Sequence, residues 1–338
     1  MKYCLYSSID DVNLFERVGF YRDDISALRL NGAKVLATNS LIQVFCFRPY
    51  IIVGYFYSKS LVVAILGRLI GSRVLLTGGA DQISPALLQG YRLFNRRVIA
   101  FLCLLFANKI LLSCSDDLVN FKKLCFGIFW LEDKIVFVNH VVIPAPVIRP
   151  FNPHKSNQFS AFTLCWMGSI SNVKRKGVDR AIKLVGLLRQ IGVDATLDIA
   201  GSNGPGKRYL EDLINKINLN PYVKLLGPIS EEEKNKRFSS GHVYLQISEH
   251  EGFGVAAAEA FFSGMVVIHS NRGGLSDVIG ENGVILDPLV IDRGNTNEIN
   301  EFYLLYLDYR VNNDYLKNMI NDYSLKMRSD AFLKYGNV

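Results

Sequence analysis

The chain has 338 residues, 49% hydrophobic and 20% charged, long enough for two domains each with its own core and too apolar for a disordered chain. Mean hydropathy is +0.17, yet the longest apolar runs, Val98–Ala107 and Leu61–Leu66, fall far short of the ~20 residues a membrane helix needs. The net charge of +7 is uneven: residues 1–150 carry 17 Lys+Arg against 10 Asp+Glu, whereas 151–338 carry 21 against 21, so an acidic partner is expected for the first half.

In chain order, the start MKYCLYSSIDDVNLFE lacks the apolar core of a signal peptide, so a cytoplasmic protein is expected. Strands are predicted at Tyr3–Ser7, Lys34–Thr38 and Ile51–Gly54, a helix at Ser60–Ile70, and strands at Arg73–Thr77, Ile110–Ser113 and Lys134–Asn139. Tyr91–Phe106, YRLFNRRVIAFLCLLF, sets Arg92, Arg96 and Arg97 beside an apolar helical run. It reads either as a buried helix with one basic end or as a helix suited to an anionic membrane surface. Stacking platforms and reading motifs for nucleic acid are missing from these basic segments. VIPAPVIRPFNP holds four of the ten prolines and marks an interdomain linker.

Beyond it the alternation restarts. Strands are predicted at Phe162–Met167, Ala195–Ala200, Val223–Leu225, Val243–Ile247 and Val266–His269. Helices are predicted at Gly177–Ile191, Arg208–Ile217, Glu231–Ser239 and Ala256–Ser263, with a final helical region from Glu298 onward. Two α/β domains with a cleft between them follow, and ligands in such sheets gather at the carboxyl ends of the strands. Six cysteines are scattered singly, with no C-x-x-C and no nearby histidine, so a zinc site is not expected. No D-x-D occurs to hold a metal-bound diphosphate.

The most informative stretch is SEHEGFGVAAAEAFFSG, Ser248–Gly264. It places Gly252, Phe253 and Gly254 at a strand-to-helix junction, where backbone N–H groups and the positive helix end attract anions. Glu251 precedes the glycines and Glu259 lies about two helical turns beyond, expected to point back to the same mouth. Two carboxylates for sugar and ribose hydroxyls, with amides between them for phosphate, outline a nucleotide-sugar site. Lys174, Arg175 and Lys176 cluster before Gly177, as a diphosphate requires, although a solvated basic turn would look the same.

Four motifs in order, WMGSISNVKRKGVDRAI, DIAGSNGPGKRY, EGFGVAAAEA and SNRGGLSDVI followed by NGVILDP, resemble glycosyltransferase family 4 (glycosyl transferases group 1) over essentially the whole second half. That resemblance implies a GT-B fold, two Rossmann-like doubly wound domains facing each other across a cleft. It implies an N-terminal acceptor-binding domain (1–148), a C-terminal donor-binding domain (149–320), and a terminal helix (321–338) returning to the first. It further implies a retaining, metal-independent hexosyltransferase with no cofactor, the nucleotide sugar being a substrate and UDP preferred over GDP. The acceptor would be a glycan or lipid-linked glycan, as in cell-surface polysaccharide or lipopolysaccharide synthesis, with the protein peripheral at the inner face of the plasma membrane.

By the same resemblance Lys176 and Arg175 stabilise the leaving diphosphate, and Glu251 holds sugar hydroxyls near the reacting carbon. Glu259 accepts hydrogen bonds from the ribose, and Gly168, Gly252, Phe253, Gly254 and Val255 line the donor. Lys207 matches a position that reaches the diphosphate in some relatives and reads equally as a surface lysine. Gly273, Gly274 and Asp277 are read as structural. Two departures stand out: Ser169 replaces an arginine common after Gly168, and Gly78-Gly79-Ala80, with Asp81 the nearest polar group, replaces a cleft-lining histidine. The amino-terminal glycine-rich loop is reduced to Arg17-Val18-Gly19-Phe20. A catalytically lapsed nucleotide-sugar-binding protein of the same fold is the alternative. A dinucleotide oxidoreductase lacks support, because no G-x-G-x-x-G follows any predicted strand.

Overall fold

The computed structural model describes residues 1–337 apart from 31, 79–83, 86–87, 147–157 and 241–242, and apart from the side chains of 58, 240 and 313. The chain divides into two compact units, Met1–Val142 with Ile320–Val338, and Ile143–Met319. Among the described residues no helix is long and apolar enough to cross a membrane.

The first unit is a six-stranded sheet: β1 (Lys2–Tyr6), β2 (Lys34–Thr38), β3 (Ile51–Tyr55), β4 (Arg73–Thr77), β5 (Lys109–Leu112) and β6 (Ile135–Phe137). Every pairing is parallel, in the order β2-β1-β3-β4-β5-β6. Its strands are apolar on both faces, as burial between two helical layers demands. Tyr3, Leu5, Ile51 and Val53 face one core and Cys4, Ile52, Val74 and Leu76 the other. Five of these strands lie within one residue of their predicted bounds at each end, and β6 is shorter than predicted, while the helices Gly19–Arg29, Leu41–Phe47 and Ser115–Leu124 were not anticipated. Gly19 therefore opens a helix, where a shortened glycine loop was expected.

The helix Leu325–Gly336 packs on this sheet through Phe332 and Arg328. Arg328 is wholly buried and donates to Asp24 Oδ1 at 2.8 Å and Oδ2 at 2.9 Å, and also to the carbonyl of Asn139 at 3.2 Å. Tyr55 donates its hydroxyl to the same Asp24 carboxylate. A buried guanidinium survives only when its donors are matched in this way.

The second unit is another parallel six-stranded sheet: β7 (Gln158–Leu164), β8 (Asp194–Ala200), β9 (Val223–Gly227), β10 (Val243–Gln246), β11 (Val266–His269) and β12 (Val284–Ile285). Its order is β12-β11-β10-β7-β8-β9, the doubly wound Rossmann arrangement. The chain winds from β7 outward through β8 and β9, then crosses to β10 and winds the other way. The loops after β7 and β10 thus part company at one place, the topological switch point, which leaves a crevice at the carboxyl edge.

β7 begins four residues earlier than predicted and stops at Leu164. Gln158 and Ser160 disguise its first half, which pairs with β8, whereas the β10 pairing starts at Ala161. The tail of helices from Thr296 agrees in position with the expected helical region, with Pro288–Arg293 in addition. Of the linker, residues 147–153 lie outside the described residues, as do Gly79, Ala80 and Asp81.

Candidate active site

Two strand-end loops meet at the switch point of the second unit. After β7 the chain runs through Gly168 into the helix Ile170–Arg175, whose first turn is capped by Ser169: its hydroxyl accepts from Asn172 N at 3.2 Å. The serine that replaces the family's arginine therefore has a local job. Gly177 ends this helix at φ +67°, and a β-carbon there would lie 1.8 Å from the Ile247 carbonyl oxygen, so only glycine lets the two loops touch.

The predicted basic turn is thus a short helix, and its three cations diverge. Lys174 is exposed and sits over the Tyr209 ring at 5.4 Å. Arg175 donates to Asn172 Oδ1 at 2.8 Å and to the His250 carbonyl at 3.4 Å, while its own carbonyl accepts from Glu249 N at 2.8 Å. Lys176 forms an ion pair with Glu251 Oε1. The cation after β7 and the acid after β10 accordingly bridge the crevice.

Glu251 is buried, and its other oxygen accepts from Ser248 Oγ at 3.1 Å. Burial alone would push its carboxyl up; the charges of Lys176 and Arg175 and the hydrogen bonds from Lys176 and Ser248 outweigh that and hold it below the usual carboxylate range. It is therefore an ionised acceptor, suited to hydroxyl groups.

Gly252, Phe253 and Gly254 follow as expected, and Gly254, at φ +84°, stands before the helix Val255–Phe262. The loop is braced from behind: Gly274 N donates to the Glu251 carbonyl at 2.7 Å, at the start of the helix Gly274–Val278 that also holds Asp277. Glu259, also buried, is reached by Lys234 from the helix Glu231–Ser240 at 2.9 Å. Lys234 holds Glu231 at 2.9 Å as well; burial works against its charge, and the two carboxylates more than restore it. Each of the paired acids thus has its own lysine.

Gly168 adjoins the loop after β8, through Met167 N to Ser202 O at 3.2 Å and Gly206 N to Met167 O at 2.9 Å. Lys207, in the first turn of the helix Pro205–Lys216, pairs with its helix neighbour Glu211 at 3.8 Å. In the first unit, Gly78 ends β4 where a β-carbon would lie 2.9 Å from Phe56 N, so close packing of two strand ends accounts for a small residue there.

Sequence reasoning missed Lys234 and the polar face of β10. Val243, Leu245 and Ile247 enter the core, while Tyr244, Gln246 and Ser248 point the other way. These three link Leu164 N to Glu251: Leu164 N donates to Tyr244 Oη at 3.3 Å, Tyr244 to Gln246 Oε1 at 3.3 Å, and Gln246 Nε2 to Ser248 Oγ at 2.6 Å. The alternation of Tyr, Gln and Ser in an otherwise apolar strand is the signal that could have revealed it.

The two Rossmann-like sheets are those of GT-B glycosyltransferase structures. A crystal structure of the Anabaena protein HepE in complex with UDP covers 99% of this chain and 99% of that one, at 15% identity and a TM-score of 0.73. A glycosyltransferase from Rickettsia africae covers 99% of this chain and 98% of its own, at 15% identity and a TM-score of 0.69. Residues 162–321, which make up most of the second unit, match the family model of the glycosyl transferases group 1. Over 136 residues it is 29% identical to a component of the human phosphatidylinositol N-acetylglucosaminyltransferase, and the match covers 40% of this chain and 28% of that protein. The chain spans about a quarter of the length of the curated relatives it matches.

Proposed function

We propose that the protein is a retaining glycosyltransferase that moves a hexose from a nucleotide sugar, UDP-linked first and GDP-linked next, to a glycan or lipid-linked glycan. The reading rests on one observation above all, the Lys176–Glu251 pair spanning the switch-point crevice of the second unit. An ammonium has three hydrogens, and Glu251 occupies one, so Lys176 retains donors for a diphosphate. Arg175 adds a second cation next to it. Charge that builds on the diphosphate as the glycosidic bond breaks would be met by preorganised cations. Glu251, kept ionised, would accept from sugar hydroxyls and fix the ring against the acceptor. Glu259, held by Lys234, would take the ribose.

The UDP preference draws on the Anabaena structure, whose complex contains UDP. The lipid-linked acceptor draws on the human relative, whose name specifies phosphatidylinositol, and the reading of cell-surface polysaccharide or lipopolysaccharide synthesis draws on an Escherichia coli relative named as an O-antigen chain mannosyltransferase. Retention, the absence of a metal requirement and deprotonation of the acceptor by the leaving diphosphate follow from the family resemblance.

A thermal-shift screen against UDP, GDP, ADP and their sugars tests the reading. UDP at a hundredfold its Kd should stabilise the protein by about 2.7 kcal/mol. No response to any nucleotide would remove the proposal. Binding without donor hydrolysis or transfer to any acceptor would favour the lapsed protein, a reading supported by Ser169 serving as a helix cap where the family places a cation.

A further inference from the structure

The first unit carries an aromatic surface that the donor site does not use. Between the helix Ser115–Leu124 and β6 the chain makes a tight knuckle, Cys125 to Glu132. Leu124, Cys125 and Leu131 anchor it in the core. Ile128 packs against the same core, whereas the three aromatic side chains face solvent: Phe126 is 81% exposed, Phe129 80% and Trp130 57%. Phe126 has φ +50°, a left-handed conformation that costs free energy for a bulky residue, and here it aims the ring outward.

The knuckle continues onto the helix Gly90–Phe106 through the Phe101–Phe126 ring contact at 6.4 Å. That helix buries Ala100, Cys103 and Leu104, while Tyr91, Phe94 and Val98 are exposed on the side away from the sheet. An ordinary surface helix has its charged residues there. The helix Gly90–Phe106 also carries exposed Arg92 and Arg96, the helix before the knuckle ends on exposed Lys122 and Lys123, and Lys134 lies over the Trp130 ring at 5.3 Å. From Leu88 to Ile135 seven basic side chains face four acidic ones, and one of those acids, Asp117, is buried. Exposed aromatic residues that include a tryptophan, accompanied by exposed basic side chains on the same elements, have the chemistry of an interfacial membrane element.

We propose that the Phe126–Trp130 knuckle and the outer face of the helix Gly90–Phe106 dock on an anionic lipid surface, the rings entering the headgroup boundary and the basic residues meeting lipid phosphates. This deepens the lipid-linked acceptor reading by naming the face that would hold the enzyme at its substrate. Vesicle binding is measured without donor, so its failure is distinct from a missing nucleotide response.

The test is sedimentation of the full chain with phosphatidylglycerol/phosphatidylcholine vesicles and with phosphatidylcholine alone. Binding should require the anionic lipid, weaken with salt, and fall by at least about tenfold in Phe126→Ser/Phe129→Ser/Trp130→Ser. The UDP thermal shift serves as the folding control for that variant. Trp130 and Trp166 are the two tryptophans of the chain, so Trp166→Phe leaves Trp130 as the reporter. Its emission should shift to the blue on anionic vesicles and be quenched by brominated acyl chains. Equal binding to neutral vesicles, an unmoved Trp130 emission, or a self-association that the triple variant abolishes while vesicles stay unbound would each overturn the proposal.

Discussion

Replacing Lys176 by methionine should destabilise the second unit more than replacing its partner Glu251 by glutamine. The asymmetry follows from exposure: the Lys176 side chain is 23% exposed and that of Glu251 7%. Lys176→Met strands a carboxylate that water scarcely reaches, at a cost of about 3 kcal/mol. Glu251→Gln leaves a lysine that can turn to water, at a cost of about 1 kcal/mol. The double variant should cost less than the sum, with a coupling energy of about 2 kcal/mol.

The two single variants also differ in how they respond to pH. In the wild type the Glu251 carboxyl is held below its ordinary value of 4.5. Its contribution to stability is therefore complete above that value and is lost as pH falls through the folded one. Without Lys176, burial opposes the charge with only Arg175 and the Ser248 hydrogen bond to offset it, so the Lys176→Met penalty should shrink as the medium is acidified from about pH 7 to about pH 5. Urea unfolding in a Trp130→Phe background reads this unit through Trp166. Equal, pH-independent penalties, or a coupling below about 0.5 kcal/mol, would refute a desolvated pair at the crevice.

The two acids should separate functionally. Glu251→Ala should lower kcat/KM by about a hundredfold or more while UDP affinity changes little, whereas Glu259→Ala should weaken UDP about tenfold. Equal losses of UDP affinity, measured by calorimetric titration, would contradict the roles given. His269 is buried and neutral, its Nδ1 accepting from Asn271 N at 3.1 Å and its Nε2 donating to the Gly280 carbonyl at 3.0 Å; burial pushes its pKa down to about 4 from 6.5. The unfolded chain takes up the proton first, so about 3 kcal/mol of stability is lost as pH falls from 6.5 to about 4. His269→Gln should flatten that slope by close to one proton in denaturant titrations across the window, and an unchanged slope counts against the assignment. In the first unit, Arg328→Met strands Asp24 and should cost about 3–5 kcal/mol in urea unfolding followed by Trp130. A loss under about 1 kcal/mol would mean that Asp24 is satisfied without the guanidinium.

Much of the molecule was readable from residues alone because a parallel sheet buried on both faces needs unbroken apolar strands. Lys34–Thr38, Arg73–Thr77 and Val266–His269 carry that pattern undiluted, and their predicted bounds coincide with the observed ones. β7 departed from prediction because Gln158 and Ser160 interrupt the pattern without interrupting the pairing. Ile170–Arg175 was hidden for a related reason: its one buried side chain, Val173, is too weak a periodic signal for a single turn and a half.

The run from Gly168 to Glu259 showed in sequence where glycine allows close backbone approach and where the cations and acids stand, since backbone freedom and charge type are written locally. Which acid meets which cation was not written there. The pairings Lys176–Glu251, Lys234–Glu259 and Arg328–Asp24 span 75, 25 and 304 residues. Charge complementarity in sequence allows many partners. Only the winding of the chain about β7 and β10, and the seating of the last helix on the first sheet, bring particular ones within hydrogen-bond reach and away from water.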